Sequence, residues 1–358
     1  MKAGIFTFHR ANNYGAVLQA YALTQKLNHM GCQAEVVDYR CDHIENMYHR
    51  ISLKKVNNVR KFAAFFVTYF KTSAKSKKFN DFRKSFLKIS DKAYNMKNRK
   101  ELNGEYDVFF TGSDQVWNPD CTKYDKTYFL DFAENSKKNA YAASFGVSVI
   151  DEKYRADFNK LLGSFQNISV RETRGAEIVK DFSGRESTVV LDPTLLLNKK
   201  QWMEIASPTK YSKGKYVLVY MLVNSKSLMD FALKLGKEKN LPVVCIGNGR
   251  AQVTYASDIG PREFVKLFDK AEYVVTNSFH GTAFSINFNK NFFVELHNMK
   301  NSRNSRMEEV LNLFGLSGRL IINGECAEKD TAVDYSHVNA VLEQERAKSE
   351  AFLEKIVK

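Results

Sequence analysis

Short runs of β-branched and aromatic residues alternate with amphipathic stretches along this 358-residue chain, in two successive series. Lys2 to Phe8 reads as a strand and HRANNYG as a turn. Gly15 to His29 reads as a helix carrying Val17, Leu18, Tyr21, Leu23 and Leu27, and Ala34 to Tyr39 as the next strand. Tyr106 to Thr111, Asn139 to Phe145, Ile168 to Val170 and Ser187 to Leu191 read as further strands, with a helix over Thr173 to Phe182. Asp192-Pro193 forces a turn and marks the close of a first domain. The rhythm then restarts with strands at Tyr216 to Leu222, Val243 to Ile246, Tyr273 onward and Asn291 to Leu296. Helices fall at Ser225 to Lys239, Pro261 to Asp269 and from about Arg306. Strands joined through helices belong in parallel sheets. The predicted fold is therefore α/β: two doubly wound, Rossmann-like domains facing a cleft, residues 1–196 and 197–332. A polar helix within 333–358, from Asp334 to Val357, is expected to pack back on the first domain.

The net charge of +14 is concentrated in one segment. Residues 50 to 100 hold sixteen Lys or Arg against Asp81 and Asp91, leaving 38 charges of each sign elsewhere. Phe62, Phe65, Phe66, Tyr69, Phe70, Phe79, Phe82 and Phe86 fall there at helical spacing, so a basic helical insertion is predicted in the first domain, at about 45–100. An anionic membrane surface, a polyphosphate-bearing substrate or nucleic acid would suit its cationic face. So would plain solvent, with the phenylalanines turned inward.

Ligands of doubly wound folds sit beyond the C-terminal ends of the strands. The sharpest such place is Asn277-Ser278-Phe279-His280-Gly281, between a buried strand and an amphipathic helix. Helix N–H groups and the helix dipole there suit a phosphate or carboxylate. Asn277 and Ser278 can cap, Gly281 admits a ligand, and His280 can move protons near neutral pH. A capped helix with a buried histidine would look the same. Asn12, Asn13 and Gly15 follow the first strand, as ligand contacts or as an ordinary turn. GSDQVWN (Gly112 to Asn118) offers Trp117 to stack on a pyranose and Asp114 and Gln115 to bond its hydroxyls, unless Trp117 is buried in the core. Ser144 ends another strand. Arg171 follows the next with a fork suited to two oxygens, or with an internal ion pair to Glu172 or another neighbour.

Several chemistries are set aside. Gly247-Asn248-Gly249 follows a strand, but Gln252 stands at the third glycine position of a dinucleotide fingerprint, so it reads as a loop. No nucleotide phosphate loop, His-Glu-x-x-His or Gly-x-Ser-x-Gly motif is present. The five cysteines are scattered without a Cys-x-x-Cys pair, as expected of reduced thiols. MKAGIFTF reads as a strand and not a signal peptide, and no stretch stays apolar for about eighteen residues. A cytoplasmic protein is expected.

NNYGAVLQAYAL (Asn12 to Leu23), YDVFFTGSDQVWN (Tyr106 to Asn118), ASFG (Ala143 to Gly146), SVRE (Ser169 to Glu172), LDPTLLL (Leu191 to Leu197) and TNSFHG (Thr276 to Gly281), taken in order, resemble the polysaccharide pyruvyl transferase family over roughly residues 1 to 320. The resemblance implies a GT-B-like pair of domains. It also implies transfer of a pyruvyl group from phosphoenolpyruvate to a sugar of a surface polysaccharide or its lipid-linked precursor, forming a ketal and releasing phosphate. That chemistry needs a proton donor, an anion cradle and an ordered diol.

On this reading His280 is the general acid, and Asn277, Ser278, Phe279 and Gly281 hold the donor with Arg171. Asn12, Asn13, Gly15, Ser113, Gln115, Trp117 and Ser144 face the acceptor, with Asp114 as base. Many members of the family carry Arg two positions before the histidine where this chain has Ser278, so Arg303 or Arg306 is expected to supply the second cation. No tightly bound cofactor is implied, and a divalent metal stays open. Peripheral contact with an anionic membrane through residues 50–100 is an expected partner interaction; nucleic acid is not. A GT-B glycosyltransferase using a nucleotide sugar, or a non-catalytic carbohydrate or nucleic-acid binding protein, are the alternatives.

Overall fold

The computed structural model describes residues 1–49, 73–247, 253–296 and 305–358. The described residues form two sheets. The first is built from β1 (Lys2–Phe6), β2 (Gln33–Tyr39), β3 (Ile89–Tyr94), β4 (Val108–Thr111), β5 (Lys138–Ala143), β6 (Asn167–Val170) and β7 (Thr188–Val189). The second is built from β8 (Val217–Tyr220), β9 (Val243–Ile246), β10 (Thr254–Ala256), β11 (Tyr273–Thr276), β12 (Asn291–Glu295) and β13 (Leu320–Ile321). Their orders are β3-β2-β1-β4-β5-β6-β7 and β10-β9-β8-β11-β12-β13, and the paired strands are parallel throughout. Each chain path winds outward from its first strand and then returns to that strand's other side. The two topological switch points, where ligands of such sheets bind, therefore lie between β1 and β4 and between β8 and β11.

The strands read as nearly unbroken apolar runs because both faces of each sheet are covered. In the second sheet Leu218, Tyr220, Val274 and Phe292 enter a core shared by both lobes, while Val217, Val219, Val275 and Phe293 line a separate outer core. The first sheet divides likewise, Ile5, Val36 and Phe110 inward and Phe6, Val37 and Phe109 outward. The shared core bridges the lobes. Tyr14, opening helix Tyr14–His29, stacks on Phe264 at 4.7 Å and 13°, and its hydroxyl donates to the Ile259 carbonyl at 3.1 Å.

The described part of the basic segment adds a second bridge. A helix over 73–85 buries Phe79 and Phe82, and Lys78 pairs with Glu263 of the second lobe at 2.6 Å. Arg262 lies 4.7 Å above the Phe86 ring. Here the phenylalanines turn inward. The expected helices with Phe62, Phe65, Phe66, Tyr69 and Phe70 lie outside the described residues, as do Asn248, Gly249, Gln252 and Arg303. The terminal helix Tyr335–Val357 touches the first lobe through Lys26–Glu350 at 2.5 Å and Tyr141–Phe352 at 6.3 Å. Its buried Arg346 donates to the carbonyls of Leu195 and Leu197 and to Asn287 Oδ1. Among the described residues no helix is long and apolar enough to cross a membrane.

Trp117 belongs to this packing and is no platform for a sugar ring. It is 1% exposed, stacks on Phe129 at 5.6 Å and 8°, and donates its indole N–H to the Tyr128 carbonyl at 3.2 Å. A large aromatic behind a strand fills the outer core when its one polar atom finds a partner there. Trp117→Ala is expected to cost about 3–5 kcal/mol in chemical denaturation, and Trp117→Phe a fraction of that. An unchanged denaturation midpoint for Trp117→Ala would return the indole to the ligand.

Candidate active site

The two switch points meet. Helix Phe279–Asn287 follows β11 with Ser278 as its cap, and a Cβ placed on Gly15 would lie 2.0 Å from His280 Nδ1. Only glycine lets the start of the first lobe's helix come this close to the imidazole of the second. The helix begins at Phe279, so His280 sits inside its first turn and not in the loop ahead of it. The ring is 8% exposed and stands among charges, Asp192, Asp114, Arg171 and Arg306.

A carboxylate that sequence reasoning took for a turn marker is the centre of the site. Asp192 is buried after β7 and caps helix Pro193–Leu196, its Oδ1 accepting from the Thr194 N–H at 2.9 Å and hydroxyl at 2.7 Å. Its Oδ2 accepts from Ser113 Oγ at 3.0 Å and Arg171 Nη1 at 3.0 Å, and lies 3.8 Å from His280 Nε2. The available signal was positional: Asp192 follows a strand at the edge where ligands bind.

Arg171 is thus partly committed. Glu172 lies 3.6 Å from its Nε and Asp114 3.8 Å from its Nη2, yet these two nitrogens, and His280 Nε2, make no hydrogen bond among the described residues. The guanidinium covers Phe279 with Cζ 4.6 Å from the ring centre, and Arg306 approaches the same ring at 6.0 Å. Buried polar atoms without hydrogen-bond partners are rare and costly. All three belong to residues set around Asp192, where Glu172 Oε2 is likewise without a hydrogen bond among the described residues.

Most of the other expected contacts turn out to be framework. Ser113 is buried and fully used: its N–H donates to Gln19 Oε1 at 3.2 Å, its carbonyl accepts from Thr7 at 3.1 Å and its hydroxyl goes to Asp192. Ser144 Oγ donates to Glu172 Oε1 at 2.5 Å, and Gln115 Oε1 accepts from Asn118 at 3.0 Å. Asn13 caps the first helix, and Asn12 accepts from Arg83 at 2.9 Å and donates to Ser76 at 3.2 Å. Asn277 is no cap. Its amide accepts from Leu222 N–H at 2.9 Å and donates to the Val223 carbonyl at 2.7 Å. Gly281 is needed for packing, since a Cβ there would lie 2.2 Å from Thr276 Oγ1. These short polar side chains were read as ligand contacts because sheet-edge loops carry both kinds of role. Asp114 alone of the GSDQVWN turn keeps a partly exposed carboxylate beside Arg171, in a left-handed conformation with φ +73°.

Burial governs the imidazole. It takes His280 below its ordinary pKa of 6.5, against the opposing pull of Asp192 and Asp114. For Asp192 burial acts upward but is outweighed by His280, Arg171 and the Thr194 bonds, so the carboxyl lies below the ordinary range. Burial also opposes the Arg171 charge, and Asp192, Glu172 and Asp114 together more than restore it.

Among solved structures the chain is similar to the UDP-GlcNAc 2-epimerase of Methanocaldococcus jannaschii in complex with UDP-GlcNAc and UDP. The identity is 11%, with 97% of this chain and 94% of that one covered and a TM-score of 0.50. The Escherichia coli heptosyltransferase WaaC with ADP-2-deoxy-2-fluoro heptose is 10% identical over 96% of this chain and 99% of that one, at a TM-score of 0.40. Such likeness concerns fold, which is GT-B-like: two parallel-sheet α/β domains facing a cleft. No curated sequence relative matches the chain. The family model described as polysaccharide pyruvyl transferase matches residues 13–297, a span that includes Gly15, Arg171, Asp192 and His280, and the chain belongs to that family.

Proposed function

We infer that the protein moves the pyruvyl group of phosphoenolpyruvate onto two hydroxyls of a sugar in a surface polysaccharide or its lipid-linked precursor. The observation that carries this reading is that His280 Nε2 and two Arg171 nitrogens, all buried around Asp192, make no hydrogen bond among the described residues. A small anion bearing a carboxylate and a phosphate would satisfy them, with Arg306 adding charge from beside Phe279.

The reaction balances as follows. A proton from His280 goes to the methylene carbon, making a methyl group and a cationic C2, to which one sugar hydroxyl adds. Phosphate then leaves, restoring the cationic carbon, and the second hydroxyl closes the ketal. Of the two hydroxyl protons, one replaces that given by His280 and the other departs with phosphate. Asp114, partly exposed beside Arg171, is suited to relay them. The free imidazole rests neutral, and an incoming anion favours its protonated form, so donor binding arms the acid.

Phosphate release from phosphoenolpyruvate with a panel of galactose, glucose and mannosamine glycosides, and the added pyruvyl mass on one of them, would establish the reaction; release with none would overturn it. His280→Asn is expected to lower turnover by roughly a hundredfold or more with an unchanged thermal midpoint. Because the free enzyme must take up a proton at a group held below 6.5, kcat/KM should fall as pH rises through that pKa, and this limb should vanish in His280→Asn. Asp192→Asn removes a carboxylate that supports the imidazolium, so the limb should move to lower pH; an unmoved profile would confine Asp192 to structure. Gly15→Ala should lower turnover far more than stability, because the methyl would occupy the place of the His280 ring. Full activity in that variant would show that the lobes need not close on the imidazole.

A further inference from the structure

A cavity of about 860 Å³ opens on the lobe that carries His280, past the C-terminal ends of β8 and β12. Val223, Leu296 and Ile322 give it apolar surface, and Asn224, Ser227, Glu295, Glu308 and Asn323 give it polar atoms. Its size falls in the roughly 300–1,000 Å³ range of small-molecule sites. It shares two walls with the cleft. The backbone of Leu222 and Val223 is fixed by the Asn277 amide, three residues before His280. Glu308 stands on helix Ser305–Leu313, which also brings Arg306 to Phe279. That helix is tied across the cleft as well, since Glu309 accepts from the Thr173 N–H at 2.8 Å.

The lining discriminates by charge. On a chain of net charge +14, two carboxylates, Glu295 and Glu308, stand among the described residues around this cavity. These carboxylates oppose an anionic ligand and accept hydrogen bonds from hydroxyls, and the amides and hydroxyl of Asn224, Asn323 and Ser227 both donate and accept. Ile322 is 66% exposed and Val223 42%, bare apolar surface of the kind that receives the C–H face of a sugar ring. We propose that this cavity is a saccharide subsite, which holds the uncharged body of the acceptor glycan while its terminal diol occupies the cleft at His280. The proposal rests on the pyruvyl-transfer reading and adds to it a place and a charge rule for the acceptor.

The test uses the full-length protein and the variants Glu308→Ala, Asn323→Ala and Ile322→Asp, all at exposed positions. Calorimetric titration with galactosyl, glucosyl and mannosaminyl oligosaccharides should give at least one binder that each variant weakens by tenfold or more, about 1.4 kcal/mol. In the phosphate-release assay the same variants should raise the KM for that acceptor while leaving the KM for phosphoenolpyruvate within twofold. Saccharide binding without phosphate release would overturn the reaction and keep the subsite. Phosphate release with an acceptor KM untouched by all three variants would keep the reaction and overturn the subsite. Absence of binding by every oligosaccharide, or displacement of the bound oligosaccharide from the unaltered protein by UDP, would also overturn it.

Discussion

One buried carboxylate organises this molecule. Asp192 lies where the chain leaves the first sheet for the second, and its two oxygens take up a serine from the β4 turn, an arginine from the β6 edge and both donors of Thr194. An unpaired carboxylate in such a place would cost several kcal/mol, so Arg171 and Asp192 depend on each other. The pair is less a source of stability than a fixed point, from which the distance to His280 in the other lobe is measured out. Removing either partner would leave a charge stranded in the interior.

The packing around that point explains why the site can hold polar atoms open. Tyr14 and the helix over 73–85 fasten the lobes on one side, and the terminal helix, through Arg346, takes up the carbonyls of the connecting segment on the other. A cleft braced from both sides stays fixed without contacts between its own functional groups. Arg171 and His280 can therefore retain unsatisfied hydrogen-bond capacity, which folding alone would tend to consume.

Much of the fold was legible because parallel strands buried on both faces write themselves as apolar runs. Val243 to Ile246 was read with the bounds it has, and the helix expected over Ser225 to Lys239 runs Lys226–Glu238 with those two residues as its caps. The strand-to-helix turn that carries His280 was legible too, since it follows the second lobe's central strand. What the residues could not reveal was the division of labour among small polar side chains at the sheet edges. Ser113, Ser144 and Asn277 carry the same chemistry whether they meet a substrate or a neighbouring loop, and the neighbours here come from 28 to 106 residues away. Asp192 was missed for a related reason: an Asp-Pro pair announces a turn locally, while its partners Ser113, Arg171 and His280 are brought to it only by two separate crossovers. Trp117 was open to both readings because an indole suits a sugar face and a core equally, and only the Tyr128 carbonyl decides between them.

The contact between Gly15 and His280 joins geometry to acidity. The imidazole is fixed to one lobe, and the close approach of Gly15 from the other helps to bury it. Burial is what holds the ring below its ordinary basicity. A missing side chain in one lobe thus contributes to the acidity of a ring carried by the other.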